Sequence, residues 1–159
     1  MKTRTKAVGV LTTVVAGTLL LTATPAQAAP VAPKTIDKTL ISLGYKPNAR
    51  VGIISVFKHE SNSDPAAGSL FNTNRGFGLF QWTARRHVDL LTYLNQKHSS
   101  AVNTTNQVKF FDFEMQKRVI NDKNSKLVNI TIKQAVNKAS SPARVEWIIC
   151  KYNLQRPFC

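Results

Sequence analysis

Apolar residues return at helical spacing in six stretches of this chain, separated by polar segments. Ile36, Leu40 and Leu43 repeat until Gly44 stops them, which predicts a first helix beginning near Thr35. Pro47-Asn48 then turns the chain into "NARVGIISVFKHE", where Ile53, Val56 and Phe57 share one face. "TARRHVDLLTYLNQK" reads as a third helix capped by Thr83, turning Val88, Leu91 and Leu94 inward with Leu90 widening the face. "NTTNQVKFFDFEMQKRV" reads as a fourth, with Val108, Phe111 and Met115 inward. "TIKQAVNKA" opens with Thr131 and Gln134 at capping-box spacing, and "SSPARVEWIICKYN" opens with Ser141 as N-cap and Pro142 at the first helical position. The fold class expected is therefore mainly α. Residues 61–78 break the pattern: rich in Ser, Asn, Gly and Pro, they predict a long polar loop or a small irregular sheet.

The N-terminus follows another logic. Lys2, Arg4 and Lys6 precede an apolar run from Ala7 to Leu21, and Ala26-Gln27-Ala28 offers small residues for cleavage. That is the form of a secretory signal, and the run is short for a membrane span. Residues 1–28 are thus expected to be a signal peptide, 29–34 a flexible lead-in, and 35–159 one folded domain. The expected protein is secreted, extracellular or wall-associated, monomeric and without a transmembrane segment.

Charge and cysteines then narrow the class. The chain has 22 Lys and Arg against 8 Asp and Glu; without three leader cations the balance is 22 − 3 − 8 = +11. Such an excess suits anionic cell-wall polymers as partners, or serves solubility alone, and no nucleic-acid motif is present. Cys150 and Cys159 form an even pair, which in an oxidising compartment predicts one disulfide stapling the tail. His59, His87 and His98 are scattered, so no metal or other cofactor is expected.

Candidate chemistry centres on Glu60, seven residues after Ile53 and three after Phe57. Helical geometry turns it toward the apolar face, where partial burial beside an aromatic ring suits a carboxylic acid that donates a proton. A frayed last turn with Glu60 in water is the plain alternative. In "RGFGLFQW", Gly76 and Gly78 allow close approach to backbone, Gln81 offers amide hydrogen bonds, and Phe80 and Trp82 offer flat apolar faces. Sugars use both kinds of contact, although the two aromatics suit a core equally well.

These residues resemble a known family. Glu60-Ser61, then Asp64-Pro65, then "GFGLFQW" is similar to the E-S … G-x-x-Q signature of lytic transglycosylases and goose-type lysozymes, in the Q-W-T-x-x-R form typical of phage tail-type lysozymes. "LISLGYKPNARVGIISVFKHES" resembles that family's opening helix pair, and "QVKFFDFEM" its Q-x-x-F-x-x-x-E-hydrophobic helix. "ASSPARVEWIICKYNLQRPF" is similar to its closing stretch, with Leu154-Gln155-Arg156-Pro157 where F-E-R-P is usual. The likeness runs from Ile36 to Phe158, in order, but does not align residues 65–76. It implies a single lysozyme-like domain with the long loop or a small β-hairpin beside the cleft, peptidoglycan glycan strands as substrate, and Glu60 as catalytic acid.

The reaction stays open at this point. Hydrolysis by two carboxylates needs a second acid, for which Asp64 and Glu114 are candidates. Pro65 takes Asp64 out of helical geometry, and Glu114 equally suits an ion pair with an arginine. A lytic transglycosylase needs one glutamate only. "KYN" at residues 151–153 faintly resembles the Tyr-Asn pair of transglycosylase clefts, making Tyr152 a possible substrate contact or a core residue. The rival of another class is a non-enzymatic cationic antimicrobial that binds wall or membrane.

Overall fold

The computed structural model describes residues 33–154. The expected signal, the lead-in up to residue 32 and residues 155–159 lie outside the described residues, and the Cys150–Cys159 pairing with them.

All six helices form: α1 (Pro33–Ser42), α2 (Pro47–Ser61), α3 (Ala84–Gln96), α4 (Thr104–Lys117), α5 (Ile132–Lys138) and α6 (Pro142–Ile149). A π-helical turn, Cys150–Leu154, continues α6. The predicted caps at α5 and α6 are made: Thr131 and Gln134 close a capping box, and the Ser141 hydroxyl accepts from the Arg144 N–H. Thr83 occupies the N-cap position of α3 without a side-chain cap bond. α1 starts two residues before Thr35, taking in the end of the expected lead-in.

The buried face of α3 differs from the expected one. His87, Leu90 and Leu94 point inward, while Val88 is 45% exposed. His87 is recruited because its ring lies flat on Phe77, centroids 5.3 Å apart, so an aromatic partner outweighs its polarity.

Regular strand pairing occurs at residues 119–131, a segment that the helical pattern skips. β1 (Val119–Asp122) and β2 (Leu127–Thr131) form an antiparallel hairpin that pairs Ile120 with Ile130, with a bulge after Ile120. Those two isoleucines are its buried pair, and the polar turn between the strands faces water. The expected irregular sheet at 61–78 reduces to isolated bridges, Gly68 with Phe77 and Phe77 with Trp82.

The core gathers Ile36, Leu40, Ile53, Phe57, Phe111 and Met115, all fully buried. Phe57 sits edge-on to Phe80 at 5.9 Å and to Phe111 at 5.0 Å, tying α2, the loop and α4 together. α2 packs most extensively on α6. Gly52 permits that approach, since a Cβ there would stand 2.6 Å from Val145 Cβ and 2.7 Å from the Pro142 carbonyl oxygen.

Candidate active site

α2 ends where its sequence stops favouring helix. Asn62 (φ 55°) and Ser63 (φ 60°) adopt the left-handed conformation, one that asparagine tolerates better than most residues. The Asn62 and Ser63 N–H groups donate back to the carbonyls of Lys58 and Phe57. The last turn thus carries Glu60 to the end of α2, half-buried as expected. Ser61 fixes that end against the loop, its hydroxyl 3.1 Å from the Phe57 carbonyl oxygen and 3.0 Å from that of Leu79.

Glu60 lines a cleft of about 310 Å³. His59 and Glu60 stand on the α2 side, Glu146 and Trp147 on the α6 side, and Cys150 and Leu154 of the π-helical turn complete it. Val145, Ile148 and Ile149 are the buried face of α6, so Glu146 and Trp147 fall off the core face and both are half-buried. Sequence reading passed over both residues. The available signal was a tryptophan beside a glutamate on the less apolar side of a short amphipathic helix.

Several expected site residues hold the fold instead. Phe80 and Trp82 are fully buried, so neither offers a face to sugar; they are core, as one of the two readings had it. Trp82 Nε1 donates to Glu114 Oε2 at 2.8 Å, and Arg86 grips the same carboxylate through Nε at 2.7 Å and Nη2 at 2.8 Å. Glu114 is therefore the buried anchor of the Q-W-T-x-x-R segment, with its oxygens occupied, and not an acid poised across from Glu60. The side chain of Asp64 accepts from the Ala66 N–H at 2.8 Å and closes a turn outside the cleft. Gln81 Nε2 donates to the carbonyls of Gly78 (3.0 Å) and Ala67 (3.3 Å), so its amide braces the loop.

Tyr152 points to a neighbouring hollow of about 310 Å³ bordered by Arg118, Asn121 and Lys151. Its hydroxyl donates to Asp122 Oδ2 at 2.7 Å, and its ring stands edge-on to Trp147 at 5.7 Å. Lys151 holds the same Asp122 at 2.8 Å; these bonds from Lys151, then Tyr152, keep the Asp122 carboxyl well below its usual range. Tyr152 thus backs Trp147 and does not line the cleft.

Gln107 explains why the loop is ordered. Fully buried, it accepts from the Leu79 N–H at 2.9 Å and donates to the carbonyls of Pro65 (2.8 Å) and Ala101 (2.6 Å). Gly78 must lack a side chain there, because a Cβ would lie 2.6 Å from Gln107 Oε1. The glycine of "GLFQ" and the glutamine of "QVKFFDFEM" are two sides of one contact. The loop's exposed aromatic is Phe71, at 95%.

The profile of the phage tail lysozyme family matches residues 32–153. The chain belongs to that family, which implies a lysozyme-like activity that degrades peptidoglycan. Among curated proteins, no sequence matches the chain. No described helix is long and apolar enough to cross a membrane.

Proposed function

We propose that this protein is an exported enzyme that cleaves the glycan strand of peptidoglycan, with Glu60 as its general acid. The observation that carries this reading is the placement of Glu60 at the end of α2, in a cleft shared with the Trp147 indole. A glycan lying there would meet a carboxyl group that can protonate the leaving oxygen, beside the half-buried Trp147 indole, over whose ring the Arg144 guanidinium lies at 3.9 Å. Ser61, Leu79 and Gln107 fix the geometry from behind, as catalytic groups require. The charge of +11 expected after removal of the leader supports anionic wall polymers as the surface on which the enzyme concentrates. Secretion and a tail disulfide between Cys150 and Cys159 belong to the same proposal, as does a bacteriolytic role.

Glu60→Gln keeps size and helix and removes the proton. General acid catalysis contributes ~10²- to 10⁴-fold, so lysis of purified walls should fall at least roughly a hundredfold with unchanged far-ultraviolet circular dichroism. A cationic antimicrobial acting by charge alone would keep its potency or gain slightly from the lost anion. A folded Glu60→Gln protein lysing walls at the wild-type rate would remove the enzymatic reading.

A further inference from the structure

The exposed face of α4 carries charge that the described residues do not neutralise. Thr105, Lys109, Phe113 and Lys117 follow one another at four-residue spacing and form one stripe, with Lys109 and Lys117 ~12 Å apart along the helix axis. Three hollows run along it. One of about 530 Å³ lies against α1 and takes in Lys34, Lys38 and Lys109; one of about 460 Å³ runs from Lys109 to Lys117; one of about 440 Å³ runs from Lys117 to Arg118 beside α3. Shared residues join them end to end, and none of their lining residues lines the Glu60 cleft. The carboxylates on this face are already matched: Asp89 with Arg85, Glu114 with Arg86 and Asp112 with Lys133. Lys34, Lys38, Lys109, Lys117 and Arg118 have no ion-pair partner among the described residues. Such an arrangement repels itself. Lys34 and Lys38 are one helical turn apart, and the half-buried Arg118 guanidinium is pushed below its ordinary value by burial and then by the charge of Arg86. Arg118 is nonetheless held in place, its Nη1 donating to the Asn153 carbonyl at 2.8 Å.

We propose that this face is a docking track for a polyol-phosphate polymer of the bacterial wall, its phosphates set against Arg118, Lys117, Lys109 and the Lys34–Lys38 pair. The proposal rests on the reading of anionic wall polymers as the surface where the enzyme concentrates, and is independent of the role of Glu60. A repeating anion suits the track better than a single one, because the five cations are spread along joined hollows. The aromatic side chains tell against nucleic acid. Single strands stack their bases on open rings, yet the Lys117 ammonium lies over Phe113 at 4.0 Å, Lys97 lies over Tyr93 at 5.8 Å, and Phe110 is buried. A polyol chain has no π face and needs no such platform. A lipid surface calls for apolar side chains that insert beside the charge, whereas the large exposed apolar side chain of α4, Phe113, is the one that Lys117 covers.

The test is equilibrium binding of soluble poly(glycerol phosphate) to wild type, Lys109→Gln/Lys117→Gln, Lys34→Gln/Lys38→Gln and the control Lys123→Gln/Lys126→Gln. All six lysines are exposed, so each double variant should keep the fold, and the control pair lies in the hairpin turn outside the three hollows. A cation close to an anionic surface contributes about fivefold, so each track variant should bind ~25-fold more weakly and lower the slope of log K against log salt by about two. The control loses the same charge away from the track, and with screening at physiological salt it should stay within about twofold of wild type. Phosphatidylglycerol vesicles and single-stranded DNA are the comparison probes, and their binding should fall equally in the track and control variants. Equal losses of polymer binding in track and control variants, a track-specific loss for vesicles or DNA and not for the polymer, or no polymer binding by wild type would each overturn the track. Track-specific binding of the polymer without retention on purified walls would overturn the wall reading and not the track. Soluble polymer holds no peptidoglycan strand, so these results leave Glu60 to its own test.

Discussion

Glu114→Gln separates an anchoring carboxylate from a catalytic one. The glutamate side chain is 9% exposed and its partner Arg86 22%, and three N–H donors converge on its two oxygens within 2.8 Å. Removing one member of a buried pair costs about 3–5 kcal/mol, because the other charge stays desolvated without its partner. Arg86 keeps some water, and the glutamine oxygen still accepts one of the three bonds, so the expected loss is about 3 kcal/mol. For a domain of this size that lowers the melting midpoint by roughly 10 °C, a large share of typical stability but short of unfolding at room temperature. Urea melts of Glu114→Gln, Arg86→Leu and the double variant would give the coupling energy directly, and the double variant should lose much less than the sum of the two. Wall lysis by the folded Glu114→Gln protein should stay within a few-fold of wild type. A variant as stable as wild type but slowed a hundredfold or more would refute this reasoning and return Glu114 to the chemistry.

Two further substitutions probe how the cleft is held. Gly52→Ala should destabilise by up to about 2 kcal/mol: overpacking against Val145 and Pro142 costs about 1–3 kcal/mol, offset by about 1 kcal/mol of better helix propensity. A shift of α6 from α2 should also slow lysis, and a urea midpoint above wild type would rule out the tight crossing. His87 is fully buried against Phe77, and burial holds its imidazole below the ordinary histidine value. The folded state therefore binds this proton less readily than the unfolded chain, so its contribution is complete above about pH 6.5 and declines as pH falls through that value toward the lowered native one. His87→Phe should flatten the loss of stability between pH 7 and pH 5, and an unchanged slope in melting midpoint against pH would show that another group is responsible.

Much of the fold was legible because its signals are local. Helix periods depend on residues three or four apart, and the caps at Thr131 and Ser141 close over the next turn, so tertiary packing had little to add. Glu60 was legible for the same reason, as its distance from Ile53 and Phe57 along one helix sets its direction. The hairpin at 119–131 was missed because Ile120 and Ile130 have meaning only once paired across a turn. Phe80 and Trp82 looked like ligand platforms because sequence carries the shape of an aromatic side chain but not its exposure.

What the sequence determined by itself is six helices, the inward glutamate at the end of the second, and an ordered set of motifs that places the chain among the phage tail lysozymes. Only the tertiary structure decided which motif residues hold one another and which meet the cleft. Leu79 and Gln107 are 28 residues apart, Trp82 and Glu114 are 32 apart, and each pair is one hydrogen bond. Glu146 joins Glu60 in one cleft because Gly52 lets α6 lie close on α2. Partners so distant along the chain are selected by which buried polar groups must be satisfied together, a condition on the whole packed core that no single stretch of sequence carries.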